Sequence, residues 1–260
     1  MTQPTAAMPT DAMPTDAMPT DAMPTAAMLV IGDEILSGRT QDTNTHHLAT
    51  ALTAHGIRLV EVRVVADDPP AIVAAVKALR GAHDHLFTSG GIGPTHDDIT
   101  ADAIAAAYGV PITHRADAMA LLQSHYDRAG LPFNDARQRM ARIPEGATLI
   151  DNPVSVAPGF SLGNVHVMAG VPKIFEAMLA GLLPGLTGGA PLLSRSLRLH
   201  RGEGDIATAF AAFAATHPDL GMGSYPFNQN GAHGTNLVLR GTDPDRLDTA
   251  LAALTALLVP

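Results

Sequence analysis

The sequence predicts an α/β protein: a three-layer, doubly wound, mostly parallel sheet followed by a small α+β domain. Three observations predict it. Short continuous apolar runs alternate with amphipathic stretches from residue 28 to about 109. A Gly-rich loop follows the third run directly. After a linker rich in Gly and Pro, the order changes to strand, helix, strand, strand, helix.

The first 26 of the 260 residues read as a low-complexity tail. Met-Pro-Thr recurs at 8–10, 13–15, 18–20 and 23–25, and each Pro denies its neighbours helical geometry and ladder bonds. Structure is expected from Ala27. Met28-Leu29-Val30-Ile31, ending at Gly32, has the pattern of a buried parallel strand. Residues 43–55 carry Leu48, Ala49 and Leu52 on one helical face, closed by Gly56. Leu59–Val65 reads as a second strand. Pro69-Pro70 opens a helix with Ile72, Val73, Val76 and Leu79 on its stripe. His85–Thr88 is a third strand, and a helix runs from about Ile99 to near Gly109. Helices are expected at about 115–129 and 134–142, short strands near 147–150 and 164–169, and a helix from about Pro172. Beyond the linker, strands at Ser196–His200, Gly221–Phe227 and Thr235–Arg240 accompany helices at Asp205–Ala215 and Pro244–Leu258. The expected division is therefore a tail at 1–26, an α/β domain at 27–189 and a small domain at 190–260.

Composition excludes several classes. The absence of Cys removes disulfides, thiolate zinc sites and cysteine nucleophiles. Sixteen Lys and Arg stand against 25 Asp and Glu, a net charge of −9 that shows no basic face for duplex nucleic acid. No run of 18 apolar residues exists to span a membrane, and no basic, apolar leader precedes Arg39, so a cytoplasmic protein is expected.

The main chemical signal is Thr88-Ser89-Gly90-Gly91-Ile92-Gly93-Pro94-Thr95-His96-Asp97-Asp98-Ile99-Thr100. Three Gly after an apolar strand let backbone N–H groups turn toward an oxyanion, and the next helix points its positive end there. Neither a Gly-Lys-Ser/Thr nor a third spaced Gly follows, so this is not a P-loop or a dinucleotide fingerprint. Asp97 and Asp98 beside a phosphate call for a divalent cation, which Mg²⁺ suits; one of them capping the helix is the structural alternative. His96, inside the cradle, could contact phosphate or assist proton transfer. A second cluster, Asp33, Glu34, Ser37, Asp42 and Asn44, leaves the first strand at the sheet edge where open α/β sheets bind ligands. Asp42 or Thr43 could instead cap a helix, and Asp67-Asp68 after the second strand reads either as part of the site or as an acidic turn. His46-His47 and His83-Asp84-His85 lack the spacing of a zinc pair and read as surface residues. Arg137, Arg139 and Arg142 read as a solvated helix face.

These motifs, with Ala157-Pro158-Gly159-Phe160, stand in an order that resembles the N-terminal domain of the CinA family, within the molybdopterin-binding MogA/MoaB-like proteins. The resemblance covers about residues 27–185, and Gly223-Ser224-Tyr225-Pro226 extends it into the small domain. The same two-part layout resembles the N-terminal portion of some eukaryotic FAD synthetases. It implies a nucleotide- or pterin-phosphate site on a domain that forms homo-oligomers, dimers or trimers, with molybdopterin a possible ligand. The adenylyltransferase branch implies essential Asp residues at Asp67 and Asp98. The CinA branch implies metal-dependent hydrolysis of ADP-ribose-type pyrophosphates. It also implies Arg139 as a phosphate contact. The sequence departs from the pattern at Ala169-Gly170-Val171-Pro172, which replaces Pro-Gly-x-Pro, and no nicotinamide-nucleotide deamidase domain is expected within the 260 residues. Hydrolysis, with Asp67, Asp98 and His96 catalytic and Asp97 and Asp98 on Mg²⁺, is the favoured reading. Non-catalytic binding and adenylyl transfer to molybdopterin use the same residues.

Overall fold

Alternation along one strand sets the layering of the larger unit. In Thr25–Ile31 (β1), Ala27, Leu29 and Ile31 enter one core while Ala26, Met28 and Val30 enter another, all 3% exposed or less. Only a strand covered on both faces has this pattern. The computed structural model describes residues 23–229 and 231–259, which form two units, 23–192 and 193–259. The repeats up to residue 22 lie outside the described residues.

After β1 the first unit runs through Asp33–Leu36 (α1), Asn44–Ala54 (α2), Arg58–Val65 (β2), Pro69–Ala82 (α3), His85–Ser89 (β3) and Thr100–Tyr108 (α4). Ile112–His114 (β4), Ala116–Arg128 (α5), Asp135–Gln138 (α6), a 3₁₀ turn at Arg139–Ala141 and Arg142–Pro144 (β5) follow. Thr148–Ile150 (β6), Gly159–Leu162 (β7), Val165–Met168 (β8) and Pro172–Leu182 (α7) complete it. The six-stranded sheet has the order β2-β1-β3-β8-β7-β6. Its first four strands are parallel, and β7 is antiparallel to both neighbours. Leu48, Leu52, Phe175 and Leu179 bring α2 and α7 onto one face; Ile72, Leu79, Ile104 and Leu122 bring α3, α4 and α5 onto the other. Burying each such side chain contributes about 2 kcal/mol.

Several elements differ from expectation. β1 begins at Thr25, two residues ahead of Ala27. The carbonyl of Pro24 accepts from Arg58 N–H at 2.8 Å, and Thr25 donates from its amide and its hydroxyl to Asp84, each at 2.8 Å. Those two bonds hold the Asp84 carboxyl below its ordinary pKa. The helix expected over 134–142 breaks into α6, the 3₁₀ turn and β5. Pro144 pushes Ile143 toward extended geometry, and Arg142–Pro144 pairs antiparallel with β4 instead. Arg137, Arg139 and Arg142 therefore do not share one helix face. The short elements α1, β4 and β7 were not anticipated.

The second unit comprises Leu193–Leu199 (β9), Glu203–Ala215 (α8), Gly221–Gln229 (β10), Ala232–Gly241 (β11) and Pro244–Leu258 (α9). Its antiparallel sheet, ordered β10-β11-β9, packs Leu199, Leu237 and Leu239 against Ile206, Phe210, Phe213, Leu247 and Leu254 of the two helices. Asp243 caps α9 by accepting from the amides of Asp245 and Arg246.

A buried imidazole lies within the first unit's sheet. His166 on β8 is 4% exposed, 2.9 Å from Ser161 Oγ and 3.2 Å from His85 Nδ1, with Phe87 stacked alongside. His85 is thus half-buried and engaged rather than a surface residue. Burial, then the neighbouring His85, pushes the His166 pKa down to about 4. The unfolded chain takes up this proton near pH 6.5, whereas the folded chain resists it until about pH 4. The resulting stability is complete above pH 6.5 and is lost as pH falls toward 4, in all about 3 kcal/mol. Urea unfolding at pH 7.5 and 5 should show a steeper loss for the parent than for His166→Gln; equal losses would refute this assignment.

Candidate functional site

The site forms where three parallel strands end. β1, β2 and β3 deliver Gly32-Asp33-Glu34, Asp67 and the Gly-rich loop to one edge, beside the point where successive connections pass to opposite faces of the sheet. Close backbone approach holds the loop there. At Gly90, φ is 107° and a Cβ would lie 2.2 Å from the carbonyl oxygen of Ile31. At Gly91, φ is 68° and a Cβ would lie 2.2 Å from Thr100 Oγ1, a buried hydroxyl that donates to the Gly90 carbonyl at 2.9 Å. The amide of Thr100 returns to the Gly91 carbonyl at 3.0 Å. Among the described residues, the amides of Gly91, Ile92 and Gly93 donate to no protein acceptor, although the Asp98 carboxylate stands 2.6 Å from where a Gly93 Cβ would lie. Three successive donors are thus available to an anion.

Adjacent acids divide their work. Asp68 caps α3, accepting from the Ala71 amide at 3.0 Å, while Asp67 accepts from the Asp33 amide at 2.9 Å at the edge of the cavity. Asp98 accepts from Thr95, from the amide at 2.7 Å and from the hydroxyl, and so closes the turn; neither it nor Asp97 caps α4. Asp97 instead faces a cavity of about 550 Å³ together with Asp33, Glu34, Ser37, Arg39, Asp67 and His96. Burial is the main influence raising the Asp67 pKa, followed, against the opposing Asp33 amide bond, by the charges of Asp33, Glu34 and Asp97. On the other side of the loop, Gly91, Gly93 and Asp98 line a recess of about 20 Å³ with Arg139, Arg142, Pro158 and Phe160. Arg139 donates to the Asp98 carbonyl at 3.4 Å, and Arg142 pairs with Asp102. The loop therefore has an acidic side and a side where two arginines stand beside Asp98 and Asp102.

Known proteins bear on this arrangement. The family described as "Probable molybdopterin binding domain" matches residues 27–188, and "FAD synthase, middle domain" matches 191–260. The chain belongs to the molybdopterin-binding-domain family. A CinA-like protein of Myxococcus xanthus is 33% identical over 211 residues, 75% of this chain and 50% of that one. One from Citrifermentans bemidjiense is 39% identical over 62% of this chain and 40% of its own. The crystal structure of CinA from Thermoplasma acidophilum, described as of unknown function, is 36% identical. It covers 62% of this chain and 96% of its own with a TM-score of 0.58. The chain spans 40 to 63% of the length of the curated relatives it matches.

Within this family member the anticipated residues separate into groups. Asp33, Glu34, Ser37, Asp67, His96 and Asp97 share the acidic cavity. Ser89, Gly90, Gly91, Gly93, Pro94 and Thr95 form the loop, with Arg139 behind it. Asp42 and Asn44 do structural work. Asp42 accepts from the amides of Asn44 and Thr45 at the start of α2, and buried Asn44 donates to Ser89 Oγ at 2.7 Å and to the Gly170 carbonyl at 2.8 Å. Two expectations change. The Asp97 and Asp98 side chains open onto different sides of the loop, so they do not form one metal pair. His96 is 99% exposed at the rim rather than inside the cradle. Among the described residues, no three His, Asp or Glu side chains are grouped closely enough to hold a metal ion by themselves.

The sequence places Arg39 in the second cluster without assigning it a role and marks Arg142 only as part of a solvated helix face, and Asn152 was passed over. The buried side chain of Asn152 holds the loop before β7 through Val154, Ser155 and Ala157, where Val156 adopts a φ of 69°. An Asn before Pro153 was the available signal.

The space beside Gly91 is filled by the protein itself, so stability should suffer from a side chain there. Gly91→Ala combines positive-φ strain with displacement of the Thr100 hydroxyl, about 3 kcal/mol in all. Its melting midpoint should fall by roughly 5–10 °C. An unchanged midpoint in calorimetric melting would contradict this packing.

Proposed function

We propose that the first unit binds the phosphate of a nucleotide or pterin on the Gly90–Gly93 loop and hydrolyses a phosphoanhydride of the ADP-ribose type. The observations that support this reading are three successive amides without a protein acceptor, whose residues line the recess with Arg139 and Arg142, and the acid-walled cavity on the other side of the loop. Amides aimed at phosphate oxygens bind the substrate and stabilise charge as it develops on them. Arg39, the one Lys or Arg among the described residues lining that cavity, is suited to a second phosphate.

The donor set fits a hard divalent cation. Asp67 feels the charges of three other carboxylates at the cavity, and two carboxylates with water and phosphate oxygens meet the preference of Mg²⁺. Asp67 and Asp97 would hold it, and when bound it neutralises charge on the scissile phosphates. Glu34 lies on the same wall to take the proton from the attacking water as the bridging P–O bond breaks. Asp98 is a positioning residue that keeps the loop closed through Thr95.

Incubation with ADP-ribose, with and without Mg²⁺, tests the reading against incubation with ATP and molybdopterin. Mg²⁺-dependent release of AMP is expected from ADP-ribose. Asp67→Asn should lower the rate at least tenfold with an unchanged melting midpoint, since an amide oxygen still accepts from Asp33. Full activity in that variant, or adenylyl transfer to molybdopterin without hydrolysis, would overturn it.

The homo-oligomer is proposed to form along β2. This edge strand exposes Val60, Val62 and Val64 on one face, each about 40% exposed, and β-branched residues on an open edge invite pairing. Val62→Asp should convert oligomer to monomer in light scattering; an unchanged mass would place the contact elsewhere.

A further inference from the structure

We infer that the open face of the second unit's sheet is a binding site for a nucleoside diphosphate. Alternation buries Leu199, Leu237 and Leu239, half-buries Leu197 and turns Ser196, Arg198, Asn236, Val238 and Arg240 to the other side. With Tyr225 these five line a broad, shallow concavity of about 630 Å³ on the sheet surface. The register sets Arg198, Asn236 and Tyr225 in one row across the three strands, with Ser196, Val238 and Gly223 in the next.

Two arginines are pre-positioned on this face. A Cβ on Gly223 would lie 2.8 Å from Tyr225 Oη, and one on Gly234 would lie 2.7 Å from Phe227 Cζ. Both rings therefore lie flat along the sheet, in space that glycine leaves open. The Arg198 guanidinium sits 3.7 Å over the Phe227 ring, and Arg240 donates to Tyr225 Oη at 2.9 Å. Stacking on a ring fixes a guanidinium and leaves its edge donors for a ligand.

Charge distribution points the same way. Arg195 and Arg246 of this unit are neutralised by Asp248 and Asp219. Among the described residues, Arg198 and Arg240 pair with no carboxylate. Two ordered, unneutralised forks on one cavity suit two phosphate groups, each able to accept bidentate bonds. Tyr225 offers a ring face for a planar base, and Asn236 and Ser196 offer hydrogen bonds to its edge. Because the guanidinium groups are already held in place, less ordering opposes binding. A nucleic acid strand shares this chemistry, but it would bring many phosphates to a chain of net charge −9.

Calorimetric titration of ADP into the full chain, with EDTA present, tests the proposal. The Arg198→Ala/Arg240→Ala double variant should bind ADP at least tenfold more weakly. Asn236→Asp, which keeps both arginines but adds a carboxylate to the cavity, should weaken it similarly. Both should retain the parent melting midpoint and the parent turnover of ADP-ribose, which separates this face from the first unit's site. Absence of ADP binding by the parent, equal affinity in the double variant, or tighter binding of a single-stranded ten-nucleotide RNA than of ADP would overturn the proposal.

Discussion

The approach of the Gly90–Gly91 turn to the end of β1 and the start of α4 is the contact on which the first unit's site depends. Atoms sit 2.2 Å from where a Cβ would stand at either position, so no other residue type lets the loop close so tightly. Closure lets the Thr100 hydroxyl reach Gly90, leaves the Gly91, Ile92 and Gly93 amides without a protein acceptor among the described residues and sets Ser89 where Asn44 can bond it. Gly170 belongs to the same knot: a Cβ there would lie 3.2 Å from the Gly90 Cα, while its carbonyl accepts from Asn44. The ends of β3 and β8 and the start of α2 are thereby tied together around one turn.

Around that knot, the acids are arranged by what their neighbours require. A carboxylate beside free amide groups at a helix start caps it, as Asp42 and Asp68 do. One that finds a local amide and hydroxyl closes a turn, as Asp98 does with Thr95. Those left over, Asp33, Glu34 and Asp97, crowd one cavity with Asp67, whose pKa is raised first by burial and then by their charges. The crowding persists because the sheet edge gathers three strand ends from which these residues emerge. Among the described residues, no helix is long and apolar enough to cross a membrane, and the apolar runs are spent on strands buried between helices.

Much of this was legible in the amino-acid order. Continuous apolar runs at β1 and β3 and Pro-opened helices at α3, α7 and α9 declare themselves through local chemistry, and the Gly-rich string marked the tight turn at the end of β3. What escaped depends on contacts distant in sequence. Three-residue strands such as β4 and β5 carry no period, and only their mutual pairing makes them strands. The choice between Asp97 and Asp98, or Asp67 and Asp68, rests on which amide lies within reach. His166 sits in an apolar run, Val165 to Met168, that reads as strand whatever its polar member does. Even Thr25, the last member of a repetitive tail, joins the sheet because Asp84 waits 59 residues away.

The twin acids have an evolutionary consequence. At both Asp67-Asp68 and Asp97-Asp98, one member caps a helix or closes a turn and the other lines the cavity, Asp67 also accepting from the Asp33 amide, so local structure and the cavity wall rest largely on different codons. A lineage can lose the cavity-facing member through one nucleotide change and still make a soluble, well-folded domain. Descendants with a different cavity wall around the same loop are therefore a short step from this sequence. A fold with this division of labour is expected to persist through changes of occupation.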